Sequence, residues 1–255
     1  MRGLWTVTKR ELRGYLTSPV AYVLVAVFLM VSGYFFYNLL WWFHTQSMAQ
    51  SQNPYYVQQL NINRFVYEPF LQNVSVILLL IFPLLTMRLW AEEKRGKTDE
   101  LLLTSPVSTT ALVGGKFLGA IFILLTLILF LQVFTLFGFL YSRPEPVPLL
   151  LGYGGLFCMG LAFIAIGFFT STLTENQMVA ASLSFGILLL LWVLSWGAEG
   201  ASPFLRELLT YLSFFEHYKD MPRGIFNIID PVYYLSVTLF FLCLGRRVIE
   251  SRRWR

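Results

Sequence analysis

Residues 117–141 read FLGAIFILLTLILFLQVFTLFGFLY, without one Asp, Glu, Lys, Arg or His. A helix of about 20 apolar residues crosses the hydrocarbon core of a bilayer, so this stretch is long enough to span it. Five further apolar runs flank it: Val20–Phe43, Phe70–Leu89, Leu149–Thr170, Met178–Gly197 and Ile228–Gly245. Only the last is short for a full crossing; Arg246 and Arg247 beyond it are expected to snorkel while the helix continues. The expected fold is an all-α membrane protein with six transmembrane helices. It is read as a single domain over residues 1–255, because no segment between runs is long enough for a soluble domain.

Charge then orients the spans. With both ends of the chain on one side, that side collects 14 of the 19 Lys and Arg, among them Lys9, Arg10, Arg13, Arg88, Lys94, Arg95, Lys97, Lys116 and Arg246. The other side keeps Arg64, Arg143, Arg206, Lys219 and Arg223. The positive-inside rule reads this as N-in, C-in in a prokaryotic inner membrane. The net charge of +5 comes from juxtamembrane residues. It points to anionic lipid headgroups rather than nucleic acid, for which no binding module is present. Cys158 and Cys243 sit inside runs without partner spacing and imply neither a disulfide nor a metal. His44 and His217, the only histidines, are expected at the outer interface, far apart in sequence. No metal or histidine-based catalytic cluster is visible, and no enzyme activity is expected of this chain.

Residues 1–17 are expected to form an amphipathic helix lying in the membrane interface. At 100° per residue Leu4, Trp5, Thr8, Leu12, Tyr15 and Leu16 share one face, and Arg2, Lys9, Arg10 and Arg13 another. The outer loop His44–Pro69 is polar and rich in Gln, Asn and Tyr, which suits a solvated loop or a vestibule. Residues 198–229 are outside but too apolar for a simple loop. Pro203 to Phe215 fits a short re-entrant or interfacial helix. Asp230-Pro231 is expected to cap the last span. The small residues of the fourth and fifth runs, Gly155 and Gly160 among them, permit close helix contact.

The segment 88–116 carries the functional signal. Trp90-Ala91-Glu92-Glu93-Lys94-Arg95 alternates charge, turns at Gly96, and continues Lys97-Thr98-Asp99-Glu100-Leu101-Leu102-Leu103-Thr104-Ser105-Pro106. A charged loop bearing a short leucine helix suits a groove on a soluble partner: leucines supply buried area and flanking charges set register. Gly96-Lys97-Thr98 imitates the end of a phosphate-binding loop, but that motif needs glycine at position 91, which is Ala. ATP is not expected to bind this chain.

The run Glu92-Glu93-Lys94-Arg95, then Gly96 and Thr98, then Glu100-Leu101-Leu102-Leu103-Thr104-Ser105-Pro106, with Gly115-Lys116 at the next span, resembles the permease subunits of type-2 ATP-binding-cassette (ABC) exporters. Leu173-Thr174-Glu175-Asn176-Gln177 and Lys9-Arg10-Glu11-Leu12…Ser18-Pro19 add to the likeness, which is greatest to the gliding-motility-associated branch. One departure is Lys97, which separates Gly96 from Thr98 where the family has Gly followed directly by Thr. The resemblance implies an ATPase-docking coupling loop carried by Glu92, Glu93, Arg95, Gly96, Thr98, Glu100, Leu101, Leu102 and Pro106. It also implies a second cytoplasmic contact at Glu175 and Asn176, and an interfacial helix using Trp5, Lys9, Arg10, Leu12 and Arg13. ATP and Mg would sit on a separate ATPase subunit. A second permease subunit, identical or paralogous, would complete the transporter, with an auxiliary periplasmic protein as a further partner. A non-transporting membrane scaffold stands as the alternative. A secondary transporter or channel fits less well, because the central thirds of all six runs contain no Asp, Glu, Lys, Arg or His.

Overall fold

The computed structural model describes residues 2–50, 61–104, 107–142, 144–198, 200 and 202–253, and among these there is no strand. Eleven helices follow in order among the described residues. They are α1 (Arg2–Thr17), α2 (Pro19–Gln50), α3 (Glu68–Thr86, entered through a π-helical turn Asn63–Tyr67), α4 (Arg88–Arg95), α5 (Asp99–Thr104) and α6 (Thr109–Tyr141). Then come α7 (Pro146–Leu173), α8 (Gln177–Val193, ending in a 3₁₀ turn), α9 (Pro203–Leu212), α10 (Phe214–Tyr218) and α11 (Ile229–Arg253). Six helical stretches are long and apolar enough to cross a membrane. All six coincide with the runs read from the sequence.

Boundaries shift outward in most of them. The expected loop His44–Pro69 is partly helical, since α2 runs on to Gln50 and helix resumes at Asn63; residues 51–60 lie outside the described residues. The segment 88–116 is helical over most of its length rather than a loop. There α6 begins at Thr109, with the Ser108 hydroxyl accepting from the Ala111 amide at 3.3 Å. The helix after residue 228 extends through Arg246 and Arg247 to Arg253. Asp230 falls in its first turn, not before it.

Two helices form the centre. Within the apolar windows of α3 and α7, 72% of residues are buried, against 22–39% in the other four. The glycines of α7 explain its place, because four of its five, Gly152, Gly155, Gly160 and Gly167, accept a neighbour where a methyl would not fit. A Cβ at Gly160 would lie 2.6 Å from a Leu124 methyl of α6, and one at Gly167 would lie 1.9 Å from the Thr86 hydroxyl of α3. The two ends of the bundle differ in content. One holds both chain termini, α1, α4 and α5. The far end holds the turn 61–67, α9 and α10.

Candidate functional site

At the termini end, three segments distant in sequence close on one lysine. Lys116, two turns inside α6 and 2% exposed, donates to Glu11 Oε1 of α1 at 2.6 Å and to Glu93 Oε1 of α4 at 3.3 Å. The Glu93 carboxylate also accepts from Arg10 of α1 and from the Thr98 hydroxyl. The Lys116 ammonium stands 5.7 Å from the centre of the buried Trp90 ring, a second favourable contact for its charge. A buried ammonium is tolerated only when paired, and here two carboxylates and an aromatic face meet it.

The neighbouring joints are of the same kind. Arg88 donates to Ser18 Oγ at 2.8 Å and lies over the Tyr15 ring at 4.3 Å. Tyr15 donates in turn to the Leu85 carbonyl at 3.2 Å. Lys94, also buried, donates to the Thr172 carbonyl at the end of α7. Close approach of α1 to α6 depends on glycine. A Cβ at Gly115 would meet Val7 at 2.7 Å and the Leu4 carbonyl at 3.0 Å, and one at Gly119 would meet Glu11 Cβ at 2.7 Å. These two glycines, four apart, form the groove in which Leu4, Val7 and Glu11 lie. The helix expected over residues 1–17 is present, but its inner stripe is Val7, Thr8 and Tyr15, while Trp5 and Leu16 of the expected apolar face stay exposed.

The turn between α4 and α5 refines the reading at Gly96. Gly96 has φ −82° and serves as the C-cap of α4. The left-handed position is Lys97, at φ 53°. The Lys97 amide donates to the Lys94 carbonyl at 3.0 Å and the Thr98 amide to the Glu93 carbonyl at 2.9 Å, the paired bonds of a Schellman motif. Glycine is the usual occupant of that left-handed site, so Lys97 holds it at a cost.

The residues singled out in the sequence thus separate. Glu92, Arg95, Glu100 and Leu101 are exposed, Leu101 to 71%, and Leu102 is half-buried. Glu93 and Thr98 are engaged with each other inside the cluster, and Pro106 lies outside the described residues. Trp5, Lys9, Arg10 and Arg13 are exposed on α1, and Leu12 is half-buried. Glu175 and Asn176 are exposed at the same end, where the Asn176 side chain caps α8 by accepting from the Met178 amide at 2.9 Å. Lys116, Glu11, Arg88, Tyr15 and Lys94 were not among the site residues expected from the sequence. The available signals were an acid in a basic arm and a lysine set within an apolar helix.

At the far end His217 is buried within the protein. Its Nδ1 lies 2.7 Å from Asp230 Oδ1, its Nε2 lies 2.9 Å from the Tyr211 carbonyl, and its ring stacks on Tyr233 at 4.1 Å. Arg223 bridges Glu68 at 2.6 Å and Asp220 at 3.2 Å. Its hydrogen bond to Glu68 and the charges of both carboxylates push the guanidinium above its ordinary range. Among the described residues no group of three His, Cys, Asp or Glu could hold a metal.

A family model described as ABC-2 family transporter protein matches residues 38–245. No curated protein matches the chain.

Proposed function

The chain belongs to the ABC-2 transporter family, as a multi-pass membrane component of an ABC transporter, and from that premise we propose that α4 and α5 dock on a separate cytoplasmic ATPase. The observation that carries this is the division of labour within 92–102. Glu92, Arg95, Glu100 and Leu101 face outward, while Glu93 anchors the same segment to Lys116 of α6 and Arg10 of α1. A load applied to the outer face is thereby passed to one long span and to the N-terminal helix. Leucine supplies the contact area and the charges the register. Glu175 and Asn176 offer a second contact at the same end.

In this reading the termini end is cytoplasmic in a prokaryotic inner membrane, and α1 lies along the lipid surface with Trp5, Lys9 and Arg13 outward. ATP and Mg are bound and hydrolysed by the partner, and a second permease subunit, identical or paralogous, completes the transporter. Its output is export of a substrate. The motifs at 92–106 and 173–177 favour the gliding-motility-associated branch, in which an auxiliary periplasmic protein is a further partner. Replacing both Leu101 and Leu102 with Asp is expected to abolish co-purification of a P-loop ATPase from native membranes while insertion continues. Stoichiometric retention of the ATPase by that variant would contradict the docking surface.

A further inference from the structure

The far end contains a cleft of about 690 Å³, between α9, α10 and the first turn of α11. That volume lies within the range of small-molecule sites, about 300–1,000 Å³. Its depth is set by the packing of α11 on α7. Gly245 abuts Phe169, where a Cβ would lie 3.6 Å from the Phe169 Cα. At about 1.5 Å rise per residue, Asp230 stands about 22 Å along α11 from that contact, and Pro146, the far end of α7, stands about 34 Å from it. Asp230 is therefore about 12 Å below the far end of α7, whose 28 residues measure about 42 Å against a hydrocarbon core of about 30 Å, which places it at the outer margin of that core. The re-entering segment reaches deeper still, for Phe214 packs on Phe163 of α7 with ring centres 5.7 Å apart. Ionisable groups at such depth persist where they pair or face a water-filled cavity, and they mark ligand and ion pathways.

The charges around the cleft are unevenly matched. Glu216 is paired with Lys219, and Asp220 with Arg223, both fixed cations. Asp230, 7% exposed, has His217 as its one ion-pair partner, and on α9 neither Glu207 nor Arg206 makes an ion pair among the described residues. The walls add the Tyr211 ring, Pro203 and Ile225. Outside the rim Phe226 and Ile228 are more than half exposed, so apolar surface continues from the cleft toward lipid. The wall α9 has no buried residue; it turns Arg206, Glu207 and Thr210 to the cleft and leaves Phe204 and Leu208 exposed.

We propose that this cleft binds an organic ammonium ion with an apolar body, its charge held by the Asp230 carboxylate and the Tyr211 ring and its approach favoured by Glu207. Carboxylate and aromatic face together are the ordinary receptor for such a cation. The ammonium comes either from an aminophospholipid headgroup or from a free amphiphilic amine. The site stands on the membrane-spanning fold and does not depend on ATPase docking.

The test is native mass spectrometry of the full chain in maltoside micelles, titrated with dodecylammonium and with dodecanol as the uncharged control. One dodecylammonium per chain is expected, with no dodecanol adduct, and with affinity at least about tenfold lower in Asp230→Asn, the scale of one charge-assisted contact. In a second arm, retention of phosphatidylethanolamine over phosphatidylglycerol, lost in Asp230→Asn, assigns the lipid headgroup as the source. Dodecylammonium binding without that preference assigns the free amine. Should Asp230→Asn not fold, Thr210→Trp, which fills the cleft from an exposed helix, and Glu207→Gln carry the test with the same expected loss. Equal dodecylammonium binding by wild type and the folded variants, or dodecanol binding as tight, would overturn the proposal.

Discussion

The two ends of this bundle are closed by different chemistry. At the termini end the joints are charged: Arg10, Glu11, Glu93 and Lys116 tie α1, α4 and α6 together. At the far end the joints are largely phenol to backbone. Tyr67 donates to the Thr135 carbonyl, Tyr153 to Leu131, Tyr218 to Leu71 and Gly152, Tyr233 to Leu212 and Tyr234 to Phe214. A phenol satisfies a buried carbonyl without an ionised group, which is why it serves at membrane depth, where a bare charge is costly. Charged joints instead act over longer range and tolerate small displacement. The difference bears on the proposed docking of an ATPase at α4 and α5: charged joints would take up a small displacement there and still hold, while the phenol end depends on shape.

Three tests sharpen that contrast. The largest effect is expected from Lys116→Met, which removes the cation and leaves Glu11 without its closest partner. A loss of about 3 kcal/mol is expected for one broken buried pair. It should appear as a lowered denaturation midpoint in detergent, with a weaker counterpart in Arg10→Met, since Arg10 is half exposed. Equal losses from the two would mean that the cluster is not centred on Lys116.

At the far end shape should matter more than charge. A Cβ at Gly138 would lie 1.4 Å from the Tyr67 hydroxyl oxygen, so Gly138→Ala must displace a buried ring, at about 2 kcal/mol. Tyr67→Phe in the same chain removes the clashing atom and should restore part of the loss. Thermal melting of the single and double variants reads this directly, and additive losses would count against the shape argument.

The smallest effect is a gain. Lys97→Gly relieves a left-handed lysine, at φ 53°, and should stabilise the α4–α5 turn by about 0.5–1 kcal/mol. A small upward shift in melting temperature with unchanged ATPase retention is the expected result. Destabilisation would show that the Lys97 side chain itself holds the turn.

The six spans were legible because each is a local property, an apolar run of sufficient length. Their centre was not. Hydropathy scores α2 and α3 alike, and it is the close contacts of Gly152 with Leu71 and of Gly167 with Thr86 that place α7 beside α3 in the interior. The charged cluster escaped for a related reason, since Lys116 meets Glu11 across 105 positions and Glu93 across 23. Segment 88–102 drew attention through its charges and leucines, yet Glu93 read as an outward docking residue because alternating charge does not say which side of a helix faces a partner. His217 was expected at the interface because it lies between spans. The clue to its burial was the short final run, for α11 starts below the far end of α7 and leaves room for α10 to pack against α7.

The central claim is that α4 and α5 carry the ATPase. In a variant lacking Cys158 and Cys243, single cysteines at Leu101 and at Ile225, exposed on opposite ends, can be crosslinked in native membranes with a short bismaleimide. The account predicts an adduct between Leu101→Cys and a P-loop ATPase, identified by mass spectrometry, and none from Ile225→Cys. An ATPase adduct at Ile225→Cys, or none at Leu101→Cys in membranes where the ATPase co-purifies with the chain, would contradict it.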